Sequence, residues 1–202
     1  MEQLAPLIAA SINAGTPLLL AAIGLLINER SGVLNLGAEG MMLVAAIAGF
    51  AVGYATKSPL LGFVAGAVCG MLMATLFAWL ALRLATNQVA TGLALSIFGA
   101  GLSAFVGQRF VGLALPAQPN SIPLLGDIPF LGKALFHQHW MSYVAFALCL
   151  ASIWFLYRTR AGLVLRAVGE SPESAHALGY SVRGIRYLAL LFGGACCGLA
   201  GA

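Results

Sequence analysis

Apolar residues fill six long stretches of this chain, and short polar stretches separate them. Each apolar stretch is close to the ~20 residues that an α-helix needs to cross the hydrocarbon core of a bilayer. The pattern therefore predicts an all-α fold, a polytopic integral membrane helical bundle. The predicted spans are residues 6–27, 33–56, 58–82, 88–108, 140–157 and 187–202.

The composition agrees with a membrane protein, since 61% of the residues are hydrophobic and only 8% are charged. In soluble domains about a quarter of all residues are charged, so this chain falls outside that class. The net charge of +4 is explained by one arginine-rich segment, described below, and does not indicate nucleic acid as a partner. The four cysteines lie within apolar stretches, where they act as small hydrophobic residues.

The second apolar stretch begins with the sequence VLNLGAEG, which brings two polar residues, Asn35 and Glu39, and two glycines to the membrane surface or below it. Glycine weakens a helix at this place, so we predict a broken or re-entrant segment near residues 33–42. Ionisable groups at membrane depth are costly and usually face a cavity, a partner or a substrate path. Asn35 and Glu39 are therefore candidates for a translocation path, and would share a face if this stretch were helical. The alternative is that Glu39 pairs with Arg30 or another basic group at the cytoplasmic end and only fixes the helix end.

Small residues are spaced along several spans so that another helix can approach closely. The third span repeats G-x-x-x-G twice, at Gly62, Gly66 and Gly70, which predicts tight helix packing. The fourth span has a small, mildly polar face that contains Ser96. Ser96 is thus a candidate for the translocation path, with helix packing as its alternative role.

Half of the ten Lys and Arg residues lie between Arg158 and Arg186. Positive charge concentrates in cytoplasmic loops of membrane proteins, so we place residues 158–186 in the cytosol. Within this loop, Ser171 suits an N-cap and Gly179 suits the position after a helix end, which predicts a short helix over residues 172–178. Alternation along the chain then places the proline-rich loop 109–139 on the outside.

The sequence carries none of the common motifs for enzymatic chemistry. It has no phosphate-binding loop for ATP and no zinc-protease or nucleophile-elbow motif. We therefore expect a transport subunit, not an enzyme, with no catalytic residue, metal or cofactor. An intramembrane enzyme is disfavoured because no acid–base pair lies at membrane depth.

Four stretches of the sequence resemble the permease subunits of bacterial ABC importers. Two carry most of the likeness, GLLINERSGVLNLGAEGMMLVAA (24–46) and GLVLRAVGESPESAHALGYSV (162–182), and residues 87–107 and 122–146 add to it. Within these permeases the chain is similar to the branched-chain amino acid and simple-sugar family, most of all to its nucleoside branch, which works with basic-membrane-lipoprotein-type binding proteins.

The resemblance implies partners: a second permease subunit, ABC ATPase subunits, an extracytoplasmic substrate-binding lipoprotein and the lipid of a bacterial inner membrane. It implies that the short cytoplasmic helix is a coupling helix that docks on the ATPase, and that Asn35, Glu39 and Ser96 lie near the translocation path. The residues expected to couple to the ATPase are Arg166, Glu170, Pro172, Glu173, His176 and Gly179.

The implied function is to form the translocation pathway for a small polar solute, most of all nucleosides. Sugar or branched-chain amino acid is the alternative substrate. A proton-coupled secondary carrier with Glu39 as its proton site is an alternative of another class. We expect residues 1–202 to form one transmembrane domain. Because permeases of this branch have longer chains, we also expect this chain to be truncated at its C-terminus.

Overall fold

The computed structural model describes residues 4–114 and 139–202, and within them every regular element is helical. Six helices of the described ranges are long and apolar enough to cross a membrane, which confirms the predicted polytopic bundle. They are α1 (Leu4–Arg30), α2 (Ala38–Thr56), α3 (Pro59–Ala78), α4 (Gln88–Gly107), α5 (Trp140–Arg158) and α8 (Val182–Gly201). A π-helical turn, Trp79–Arg83, extends α3, and most of the predicted outer loop 109–139 lies outside the described residues.

The sequence between α5 and α8 forms two short helices, α6 (Arg160–Glu170) and α7 (Pro172–Ala177). Helix α7 confirms the short helix predicted over 172–178. Helix α6 was not predicted, although it buries Leu165 and Val168 at helical spacing. The sixth span begins at Val182 instead of residue 187, because Ser181 caps it and the arginines of its first turns do not interrupt a helix.

The segment between α1 and α2 is not helical, as predicted for the first part of residues 33–42. Residues 33–37 have no helical structure, whereas 38–42 form the first turn of α2. The Asn35 side chain stabilises this arrangement, since its Oδ1 accepts a hydrogen bond from the Gly37 amide at 3.0 Å. We call residues 31–37 the link segment.

The glycine faces predicted from the sequence meet one another in the centre of the bundle. A Cβ atom at Gly66 would lie 2.9 Å from the Gly198 carbonyl oxygen of α8, and one at Gly62 would lie 2.9 Å from the Gly49 carbonyl oxygen of α2. Helix α3 therefore packs backbone to backbone on both neighbours, as small-x-x-x-small faces allow. The largest buried cluster of apolar side chains lies among the same three helices and includes Met41, Phe77 and Leu190.

The loops fall at two ends of the bundle in the alternation that the sequence predicts. At one end the link segment contacts α6, α8 and the first residue of α4. At the other end Phe50 stacks edge-on against Phe110, and Phe63 contacts Trp140. The first end carries Arg30, Arg83 and all five arginines of residues 158–186, and we call it the arginine-rich end.

Candidate coupling surface and translocation segment

Helix α7 has well-defined caps at both termini. Ser171 Oγ accepts a hydrogen bond from the Ser174 amide at 3.4 Å, and Pro172 occupies the first helical position. After the helix, Gly179 adopts a φ of +86°, its amide donates to the His176 carbonyl at 2.9 Å, and the Tyr180 amide donates to the Ala175 carbonyl at 3.1 Å. This pair of bonds is a Schellman motif, which favours glycine at its left-handed position. Pro172 and Gly179 thus define the helix ends.

The outward side of α7 is exposed at the arginine-rich end. Only Ala175 of this helix is buried, whereas Glu173 and His176 are exposed. Leu178 is 76% exposed directly after the helix, and Tyr180 is 44% exposed. Single exposed apolar side chains are common on protein surfaces, and Leu178 and Tyr180 are available for a contact with a protein beside the acidic groups. We call residues 170–180 the α7 surface.

Arg166 does not belong to the α7 surface. It is half-buried, with its guanidinium carbon 5.1 Å from the centre of the Tyr157 ring of α5. Stacking of this kind holds an arginine by cation–π attraction. Glu170 and Glu173, by contrast, are both exposed. The residues predicted for coupling therefore form two groups. Glu170, Glu173 and His176 are an exposed set of two acids and a histidine. Arg166, Pro172 and Gly179 shape or anchor the helices.

Helix α6 connects the α7 surface to the membrane spans. Thr159 Oγ1 caps its first turn by accepting from the Gly162 amide at 3.0 Å. Gly162 packs against the backbone of Phe155 and Leu156, which makes the turn from α5 sharp. At its other end, Gly169 lies against the backbone of Arg30 and Gly32. Helix α6 is thus in direct contact with the start of the link segment.

Asn35 and Glu39, two of the predicted path residues, differ in exposure. They would share a face only if the stretch between them were helical, and residues 33–37 are not helical. Asn35 is 2% exposed and is hydrogen-bonded within the chain. Glu39 is exposed in the first turn of α2, where the helix dipole stabilises a carboxylate. Its alternative partner Arg30 forms no ion pair with it in the described part of the chain.

Ser96 of α4 is bound to the link segment. Its Oγ donates a hydrogen bond to the Leu36 carbonyl oxygen at 2.9 Å. One turn earlier, a Cβ atom at Gly92 would lie 2.9 Å from the Leu36 amide nitrogen. At the start of α4, Gln88 Oε1 accepts from the Leu34 amide at 2.9 Å. Within this chain, Ser96 is therefore bonded to the link segment.

A groove of about 740 Å³ lies between α5, α6 and α8. Its walls are almost entirely apolar side chains, among them Trp154, Phe155, Leu188 and Phe192. A polar solute would lose its hydrogen bonds to water there without gaining others, which is unfavourable. The groove is therefore unsuited to be the pathway of a polar solute.

Two residues that join the helices at the arginine-rich end were not found by sequence reasoning. Arg186 Nε donates to the Ser31 carbonyl oxygen at 3.1 Å, and Gly169 packs on the turn next to it. The only sequence signal near this contact was Gly32, because a glycine favours a left-handed turn. In the structure its φ is +79°. The contact partners lie too far apart in the sequence for a pattern to indicate them.

Comparison with known proteins identifies the family. Residues 7–202 match the family described as branched-chain amino acid transport system / permease component. The chain is 43% identical over its whole length to the putative glucose ABC transporter permease protein of Haloferax volcanii, of which it covers 63%. It is 32% identical over its whole length to the guanosine ABC transporter permease protein of Bacillus subtilis and covers 67% of it. It is also 30% identical, over 97% of its length, to the nucleoside ABC transporter permease protein of Lactococcus lactis subsp. cremoris, with 66% of that protein covered.

No solved structure gives a significant match to the chain. By the coverages given above, the chain spans roughly two thirds of the length of these relatives. The family match extends over all the described helices. The resemblance of the sequence to this permease family is confirmed. This multi-pass membrane protein belongs to the permease-component family of branched-chain amino acid transport systems, whose relatives named above are ABC transporter permeases.

Proposed function

We propose that this chain is the permease subunit of an ATP-binding cassette importer and that the α7 surface docks on its ATPase. The observation that carries the proposal is the exposure of Glu173 on a capped helix and of Leu178 and Tyr180 directly after it, at the arginine-rich end. A rigid helix with an apolar anchor and flanking charges suits a groove on a protein partner. A helix of only six residues would not be stable alone. Its caps and its contact with α6 therefore hold it in place for docking.

The proposed assembly contains two ATPase subunits, a second permease subunit and an extracytoplasmic substrate-binding lipoprotein. The arginine-rich end faces the cytosol by the positive-inside rule, and the membrane is the bacterial inner membrane. ATP hydrolysis takes place in the partner, and this chain contributes the pathway. Within the pathway, exposed Glu39 is the candidate for solute contact, whereas Asn35 and Ser96 support the link segment beside it.

The proposed substrate is a nucleoside, because two relatives at 32% and 30% identity are named for guanosine and nucleosides. A sugar is the second candidate, because the relative at 43% identity is named for glucose. Nucleosides and sugars share hydroxyl groups that a carboxylate side chain such as that of Glu39 binds, so the candidate for solute contact fits both classes.

A charge-reversal experiment tests the coupling role. Glu173→Lys should abolish the stimulation of ATP hydrolysis by transport while the protein still inserts. The matched control is Glu29→Lys, which reverses an exposed charge of the same kind at the same end outside the α7 surface. Unchanged stimulation in the first variant would refute the assignment.

A second experiment tests the substrate and the energy source. Uptake of a radiolabelled nucleoside is measured with unlabelled nucleosides or sugars as competitors. Competition by sugars and not by nucleosides would replace the first candidate by the second. Uptake that stops when the proton gradient collapses, yet continues when ATP is depleted, would replace the importer by a secondary carrier.

A further inference from the structure

The link segment is held at one end by the helices that carry the α7 surface. Arg186 of α8 donates from Nε to the Ser31 carbonyl oxygen at 3.1 Å, and Gly169 of α6 lies against Arg30 and Gly32. Gly32 fits between them: a Cβ atom there would lie 3.0 Å from an Arg186 terminal nitrogen and 3.2 Å from the Gly169 Cα. The turn is thus enclosed by α6 on one side and by the Arg186 side chain on the other.

The turn itself is firmly built. Ser31 is fully buried, and its Oγ donates to the Asn28 carbonyl oxygen at 2.7 Å. The Val33 amide donates to the same oxygen at 3.1 Å, and the Val33 side chain is 1% exposed in the central cluster. A turn with this many internal bonds moves as a unit when its neighbours move.

The other end of the link segment holds α4. Three contacts join them: Gln88 with the Leu34 amide, Ser96 with the Leu36 carbonyl and Gly92 with the Leu36 amide. Beyond these, α4 packs mainly on α2 and touches α3 only slightly.

We infer that the link segment transmits movement of α6 and α7 to α4, with Gly169 and Arg186 as positioning residues at the joint. The link segment contacts α6 and α8 at one end and α4 at the other, so a displacement of α6 reaches α4 through these contacts. The inference rests on the proposed function, since it takes the ATPase as the source of movement. It adds which helix moves and through which residues.

The test measures movement of α4 directly. Spin labels at Ile97 of α4 and Leu72 of α3, both strongly exposed, report their distance in the assembled complex with and without ATP. A second pair, Leu18 of α1 with Leu72, is the reference, and all four native cysteines are replaced by alanine. We expect ATP to change the first distance and leave the second unchanged.

Arg186→Gln removes the guanidinium at the joint and should abolish the ATP-dependent change while ATP hydrolysis continues. Arg183→Gln is the matched control, because this exposed arginine lies on the same helix and has no bond to the link segment. Arg186→Lys retains the positive charge and N–H donors on one nitrogen, and should restore part of the response. Uptake per ATP should fall about tenfold in Arg186→Gln, within the usual range of coupling between sites.

Ser96→Ala tests the α4 end of the link if Arg186→Gln fails to insert. It removes one side-chain hydrogen bond and should reduce the same distance change. If Arg186→Gln or Ser96→Ala responds to ATP like the wild type, the inference is wrong although the proposed function stands. If the wild-type chain does not associate with an ATPase, the proposed function itself fails.

Discussion

Gly169 of α6 and Arg30 at the end of α1 are in direct backbone contact. A Cβ atom at position 169 would overlap the Arg30 carbonyl oxygen and would lie 3.1 Å from the Gly32 amide nitrogen. Backbone atoms yield little, so the approach of α6 to the link segment requires glycine. The contact also fixes how far α7 stands from the membrane spans.

The first prediction concerns this contact. Gly169→Ala should lower the free energy of unfolding by about 1–3 kcal/mol, the usual cost of overpacking. The control is Gly101→Ala in α4, where a Cβ atom meets nothing within 4 Å. Because alanine favours helix formation, Gly101→Ala should be neutral or slightly stabilising. Thermal unfolding in detergent compares the two variants, and equal melting temperatures would contradict the prediction.

The second prediction concerns Leu178, which is 76% exposed. Leu178→Asp should leave the melting temperature unchanged, because the side chain buries little surface within the chain. It should weaken association with the ATPase about 30-fold or more, as loss of a central apolar anchor does. Pull-down and titration with the purified ATPase measure this.

Val111→Asp is the control for Leu178, because Val111 is 81% exposed at the opposite end of the bundle. It should not change the association. Equal weakening by both substitutions would mean that the α7 surface has no special role in docking.

The sequence predicted those parts of the fold that depend on neighbouring residues. Apolar runs of bilayer length gave the six spans, and Ser171 with Gly179 gave both ends of α7. Asn87 caps α4 in the same local way, since its Oδ1 accepts from the Val89 amide at 2.9 Å. Caps and spans can be predicted because their partners lie within one helical turn.

The contacts that assemble the arginine-rich end could not be predicted in this way. Arg186 and Ser31 are 155 positions apart, and Ser96 is 60 positions from Leu36. Sequence spacing carries no information about which such groups meet. Helix α6 was missed for a different reason, since its many charges and small residues concealed the apolar face that Leu165 and Val168 form.

The third prediction concerns His139 at the start of α5. Burial lowers the pKa of His139 below its ordinary value near 6.5. Its Nδ1 accepts from the Met141 amide at 3.4 Å, and Lys57 lines the same small cavity. Protonation would remove this acceptor and place a second positive charge beside the lysine.

Because the folded state binds the proton less readily than the unfolded state, stability should fall as the pH drops through about 6.5 and below. His139→Asn keeps a cap acceptor that does not titrate, so its stability should depend less on pH in this range. Melting temperatures between about pH 7.5 and about pH 5 measure the effect. Parallel curves for the two proteins would show that His139 is not the group responsible.

The last prediction concerns Asn28, whose side chain is fully buried in α1 against α8. Neither Nδ2 nor Oδ1 has a hydrogen-bond partner among the described residues. The carboxamide packs on the backbone of Gly193, where a Cβ atom would lie 2.5 Å from Oδ1. A buried polar group without partners costs about 1–3 kcal/mol.

Asn28→Leu has nearly the same shape and removes both unpaired atoms, so it should raise the free energy of unfolding by up to this amount. Asn28→Ala should instead lower it, because it leaves a cavity between α1 and α8. The bonds of the link segment to the Asn28 backbone carbonyl remain in both variants. Thermal unfolding distinguishes the two outcomes: a leucine variant as unstable as the alanine variant would mean that the carboxamide is bonded in the folded protein.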